Sequence, residues 1–136
     1  MITPIFLNPI YSPSDTVLVV GSGRSGTTWL GNMIGQWPGF LSLFEPFDYR
    51  HVPEINITSL RPYIRMNETS NPLDDIIRNV LLGKYKNAWT LSENTRRFTW
   101  RILIKDIRIN LLLPYIRQRF GNRIIYIIRH PCATVL

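Results

Sequence analysis

The sequence predicts an α/β fold: a parallel sheet flanked by helices, with a glycine-rich loop at its centre. Three observations lead there. Short β-branched apolar runs alternate with segments of helical periodicity. The first such run stops at Gly21-Ser22-Gly23-Arg24-Ser25-Gly26, which in turn opens a helix. The 136 residues, 45% of them apolar, suffice for one modest core at roughly 150 residues per domain.

Taken in order, residues 1–15 hold three prolines and no clear period, so they read as an extended N-terminal arm. Thr16 to Val20 (TVLVV) has the unbroken apolar character of a parallel strand buried on both faces. Trp29, Leu30, Met33 and Ile34 lie at helical spacing within 27–36, and Trp37-Pro38-Gly39 closes that helix. Phe40 to Phe44 is the second strand, broken by Glu45-Pro46-Phe47-Asp48. Residues 49–71 carry mixed signals and read as surface loop or short helix facing a substrate. Ser70-Asn71-Pro72 starts a helix that Leu73, Ile76, Ile77, Val80 and Leu81 continue to Gly83. Phe98 to Ile104 is the third strand, ending at Lys105-Asp106. Residues 109–120 form a helix stopped by Gly121, and Arg123 to Ile128 is the fourth strand. Residues 132–136 begin a helix that the chain does not complete, so the expectation is a single, C-terminally truncated domain over 1–136. The parallel sheet is expected to have right-handed crossovers, and the expected strand order sets the first strand between the third and fourth, which would bring Arg24 and Arg129 to the same sheet edge.

Charge narrows the function classes. Sixteen basic residues stand against nine acidic ones, a net of +7, and 13 of the bases are arginine. A guanidinium fork suits phosphate and sulfate oxygens, so an anionic partner is expected. The bases are scattered and no nucleic-acid module is present, which argues against nucleic acid. No apolar run approaches the roughly 20 residues a bilayer requires, so no membrane span is expected. One cysteine, Cys132, and a start without the features of a signal peptide point to a reducing, cytoplasmic setting. Asn56-Ile-Thr58 and Asn67-Glu-Thr69 are formal glycosylation sequons that matter only in a secreted chain.

The glycine tract carries the chemistry. Between a strand and a helix, backbone N–H groups and the helix N-terminus hold a phosphate, and the spacing of Gly21 and Gly26 with the Thr28 hydroxyl is P-loop-like. Thr27 stands where a nucleoside triphosphatase needs lysine. Gly21, Gly23 and Gly26 also fit a dinucleotide fingerprint, with Glu45 as the nominal ribose ligand.

Arg24-Ser25-Gly26-Thr27-Thr28-Trp29-Leu30, set after a buried strand, resembles the 5′-phosphosulfate-binding loop of sulfotransferases that use 3′-phosphoadenosine 5′-phosphosulfate. Residues 123–136 (RIIYIIRHPCATVL) resemble that family's 3′-phosphate motif, a strand ending in Arg-x-Pro, through Arg129 and Pro131. Phe44-Glu45-Pro46 resembles the Phe-Glu-Pro of the carbohydrate sulfotransferases and their bacterial relatives. The serine that this family carries eight places after its arginine falls one place beyond Leu136, so the likeness is to the N-terminal part of such a domain.

The resemblance implies transfer of a sulfuryl group from 3′-phosphoadenosine 5′-phosphosulfate to an acceptor hydroxyl, with a small molecule or carbohydrate as acceptor. It casts Glu45 as the base and Arg24 at the sulfate or bridging oxygens. Gly23, Ser25, Gly26, Thr27 and Thr28 would hold the 5′-phosphate, Arg129 the 3′-phosphate, and Trp29 would lie against adenine, unless it is a core anchor. Lys105, at a strand end, would face substrate or simply be solvated. Glu45 could instead cap a helix or pair with an arginine, and Arg129 could pair with a carboxylate. His51, by likeness to the cytosolic sulfotransferases, is a rival base; otherwise His51 and His130 read as surface or structural residues. No metal is required, and the two histidines and lone cysteine lack metal-ligand spacing. The alternatives are a P-loop kinase or nucleoside triphosphatase, and a non-catalytic nucleotide-binding fragment. An open sheet flank would also invite self-association.

Overall fold

The computed structural model describes residues 2–57 and 59–135. Thr58 of the first sequon and Leu136 of the expected last helix lie outside them. The strands are β1 (Ile5–Phe6), β2 (Val17–Gly21), β3 (Gly39–Phe44), β4 (Phe98–Asp106) and β5 (Arg123–Ile127). The helices are α1 (Thr27–Gly35), α2 (Asp74–Leu81), α3 (Leu113–Phe120) and α4 (Pro131–Val135).

All strand pairs are parallel. β2 lies between β4 and β5, and β3 takes the other edge of β4, since Leu103, Ile104 and Lys105 pair with both β2 and β3. The fold is therefore α/β, with the first predicted strand between the third and fourth. The glycine loop after β2 and the Arg129 segment after β5 leave the same end of neighbouring strands.

Two apolar clusters hold the layers. One face packs Leu18, Val20, Leu41, Leu43, Ile102 and Ile104 against Ile77, Leu81, Tyr115 and Ile116 of α2 and α3. Burying each such side chain contributes roughly 1.5–3 kcal/mol. The other face is thinner: Val19, Phe40 and Leu103 meet Leu30 and Ile34 of α1. α1 sits close because Gly31 and Gly35 face the sheet. A Cβ on Gly31 would come within 3.3 Å of Lys105 Cβ, and one on Gly35 would collide with the Ser42 hydroxyl.

Several boundaries and one element differ from expectation. The arm contains β1, held by amides of Ile5 and of Leu7 just after it, which donate to the Arg97 and Thr99 carbonyls at 2.6 and 2.7 Å, so the sheet has five strands. The segment 109–120 is a 3₁₀ turn (Ile109–Leu111) followed by α3, whose first turn accommodates Pro114 because no intrahelical N–H bond is needed there. Residues 49–71 are not merely surface. Val52, Ile55, Ile57 and Ile64 are buried in the main core although their backbone is irregular apart from the 3₁₀ turn Pro53–Ile55. No helix among the described residues is long and apolar enough to cross a membrane.

Candidate functional site

The loop between β2 and α1 closes tightly. Gly21 has no room for a Cβ, which would lie 2.7 Å from the Ile127 carbonyl oxygen on β5. Asn110 Nδ2 donates to the Gly21 carbonyl at 3.2 Å and ties the loop to the turn after β4. Arg24 (φ 61°) and Gly26 (φ 99°) both adopt the left-handed region. For a non-glycine residue this costs about 1 kcal/mol or more and persists where the surroundings enforce it. Gly26 then N-caps α1, whose first amides have no intrahelical acceptor and point outward with the positive end of the helix dipole.

An open cleft of about 560 Å³ lies over this loop, lined by Gly23, Arg24, Gly26, Thr27, Thr28, Trp29, Phe44, Glu45, Lys105, Ile107 and Arg129. Of the residues singled out in the sequence, Gly21, Ser25 and the rival base His51 are not part of this lining. Ser25 is buried, and both its N–H (3.3 Å) and its hydroxyl (2.6 Å) donate back to the Ser22 carbonyl, so its side chain shapes the loop. Trp29 is 68% exposed, which removes the core-anchor alternative. Arg129 pairs with no carboxylate among the described residues; its Nη1 donates to the Arg24 carbonyl at 3.2 Å.

Glu45 and Lys105 form the floor. Glu45 is 6% and Lys105 7% exposed, so neither is a solvated strand-end charge. Lys105 Nζ donates to Glu45 Oε1 at 2.5 Å and lies 4.4 Å from the centre of the Phe44 ring. Glu45 has φ 40°, a strained conformation held by three bonds. Its amide donates to the Lys105 carbonyl (2.7 Å), while its carbonyl accepts from Asp48 N (3.1 Å) and the Trp89 indole N–H (3.4 Å).

Behind Glu45 lies a charged network that the sequence did not reveal. Arg108 Nη2 is 3.7 Å from Glu45 Oε2 and 2.7 Å from Asp48 Oδ2. Asp48 is fully buried and also receives bonds from Arg50 Nε and Nη2, both at 2.9 Å, and from His51 Nδ1 at 3.2 Å. The Arg50 guanidinium, foremost, holds the Asp48 carboxyl well below the usual carboxylate range. His51, whose ring stacks on Trp89 at 3.8 Å, belongs to this network and not to the cleft lining. Asp106 is buried beside it, accepting from Phe47 N (3.0 Å) and Arg108 N (2.8 Å); burial pushes its carboxyl up to about 7. His130 caps the start of α4 by accepting from Cys132 N at 3.2 Å. Among the described residues no group of three His, Cys, Asp or Glu converges as for a metal ion.

Chemically, the cleft combines a row of free amides, two hydroxyls, two arginines, a lysine and one carboxylate. That set suits a bound oxyanion beside a group able to take a proton. No protein-family model, curated protein or solved structure matches this chain.

Proposed function

We propose that this chain binds 3′-phosphoadenosine 5′-phosphosulfate and catalyses sulfuryl transfer to an acceptor hydroxyl. The observation that carries the reading is the contact of Arg129 with the Arg24 carbonyl, which puts the two separated arginine motifs on one cleft with Glu45 and Lys105. A site for two phosphates and a sulfate needs several cations and no loop lysine, and Thr27 stands where that lysine would be.

In this reading the amides at the start of α1, with the Thr27 and Thr28 hydroxyls, hold the 5′-phosphate. Arg129 takes the 3′-phosphate, and the exposed Trp29 offers a face for the base. The acceptor oxygen bonds to sulfur as the bond from sulfur to the bridging phosphate oxygen breaks. The hydroxyl proton passes to the Glu45 carboxylate, and the departing bisphosphate keeps the electron pair. Arg24 and Lys105 meet the charge that develops on it. The Phe44-Glu45-Pro46 likeness favours a carbohydrate hydroxyl as acceptor.

The test is release of 3′-phosphoadenosine 5′-phosphate when the donor is mixed with hydroxyl acceptors, sugars first. Release by the wild-type chain that Glu45→Gln abolishes is expected. Equal release by both, or none by either across the acceptors, contradicts the reading.

A further inference from the structure

Arg108 lies between two carboxylates and bonds only one of them. Its Nη2 is at hydrogen-bond distance from Asp48 Oδ2 (2.7 Å) and 3.7 Å from Glu45 Oε2, an ion pair too long for a hydrogen bond, so the second Glu45 oxygen has no hydrogen-bonded cation while the first is taken by Lys105. Asp48 is buried, and its orientation is fixed by Arg50, which bonds both of its oxygens, and by His51, which shares Oδ2 with Arg108.

We propose that Asp48 is a positioning residue that withholds Arg108 from Glu45 and so keeps Glu45 Oε2 open to accept a proton. This rests on the reading of Glu45 as the proton acceptor. With Asp48 neutralised, Arg108 swings over the small remaining gap to Glu45 Oε2. Glu45 is then gripped by two cations on its two oxygens, and its carboxylate is a poorer base. The charged groups facing Glu45 are Lys105 and Asp106 from β4, Arg108 from the turn after it, and Asp48 and Arg50 from the segment after β3. Only Arg108 has a choice between Glu45 and another carboxylate at hydrogen-bond distance.

The chain has four glutamates, so carboxyl-¹³C labelling of glutamate gives few signals, and Glu45→Gln assigns that of Glu45. In Asp48→Asn the Glu45 signal should titrate at lower pH than in wild type, by on the order of one unit as for a carboxylate gaining a close cation. Removing Arg108 as well, in Asp48→Asn/Arg108→Gln, should reverse that displacement. The coupling between the two substitutions decides: Arg108→Gln should raise the Glu45 titration further in the Asp48→Asn background than in wild type, because Arg108 bonds Glu45 closely only there, and equal displacements in both backgrounds overturn the proposal. An unmoved signal in Asp48→Asn, or one the second substitution fails to return, overturns the proposal. Should Asp48→Asn not fold, the wild-type chain decides. The Arg108 guanidinium ¹⁵N signals should show hindered rotation and stay constant while Glu45 titrates; signals that follow Glu45 overturn the proposal. These readouts need no turnover. A failure to bind nucleotide would sink the proposed function alone, whereas a failure here with nucleotide binding intact sinks only the role of Asp48.

Discussion

Arg129 Nη1 donates to the backbone carbonyl of Arg24 at 3.2 Å, joining two arginines that are 105 residues apart in the chain. The bond is possible because β5 lies beside β2 and both strands release their chains at the same end of the sheet. Arg24 is in the left-handed region, so the contact also props a strained point of the loop. Arg129→Ala should therefore weaken binding of 3′-phosphoadenosine 5′-phosphate by about 10- to 100-fold, the range for losing a hydrogen bond to a charged group. The same substitution should change affinity for 5′-AMP far less. Calorimetry with both nucleotides checks this, and equal losses for the two would place the 3′-phosphate elsewhere.

Glu45→Gln keeps the size of the side chain and an oxygen for Lys105 but cannot take a proton. Turnover should fall by about 10²- to 10⁴-fold, the usual contribution of a general base, with nucleotide affinity little changed. A variant that loses nucleotide binding and turnover together would point to a purely structural ion pair with Lys105.

Asp106 makes stability depend on pH with a definite sign. Its carboxyl is raised from the ordinary 3.8 to about 7 in the folded chain. Between those values the unfolded chain gives up the proton and the folded chain keeps it, so stability falls as pH rises from about 4 to about 7 and is level above. The decline is at most about 4 kcal/mol. Asp48 acts the other way: held low, it contributes stability above the ordinary carboxylate range that is lost as pH falls below it. Urea melts at pH 5 and pH 7.5 should show the wild-type chain more stable at pH 5, and Asp106→Asn should flatten the difference. An undiminished slope in the variant would assign it to another group.

Helix α1 approaches the sheet closely in part because Gly35 lacks a side chain where Ser42 stands. Gly35→Val should overpack this contact and destabilise the chain by about 1–3 kcal/mol. Because α1 also carries Thr27, Thr28 and Trp29, the cleft should widen and nucleotide affinity drop in the fraction that stays folded. Melting with and without nucleotide measures both effects.

β5 pairs only with β2 among the described strands, and Ile125 and Tyr126 on it are 38% and 48% exposed. An edge with free N–H and C=O groups beside apolar side chains invites pairing with a second copy. Sedimentation should show self-association that rises with concentration and is reduced by Ile125→Lys. A chain that sediments as a monomer throughout would contradict it.

How much of this was legible in the sequence depended on whether the signal was local. β2, β3 and β4 could be read because strands buried on both faces must be continuous apolar runs, and Val17 to Gly21 or Ile102 to Ile104 are such runs. The cleft residues could be read because Gly21 to Thr28 sets a loop and a helix start within one short stretch. β1 was missed because two residues held by backbone bonds to Arg97 and Thr99 leave no periodic pattern. Ile55, Ile57 and Ile64 read as surface in the sequence because their burial follows no helical or strand period; they fill the core from a 3₁₀ turn and irregular backbone. The Asp48–Arg108 pair spans 60 positions, and nothing local marks either residue as the other's partner. Lys105-Asp106 marks the end of β4 in the sequence, but burial of its lysine against Glu45 depends on β3 lying alongside.

The most direct test of the central claim is calorimetric titration of 3′-phosphoadenosine 5′-phosphate into the chain, with 5′-AMP, magnesium-ATP and Arg24→Ala in parallel. Saturable binding that prefers the 3′-phosphate and is lost in Arg24→Ala is the predicted result. Absence of binding in a sample shown to be folded, or preference for magnesium-ATP, would contradict the account, and the latter would assign the cleft to a phosphoryl-transfer enzyme.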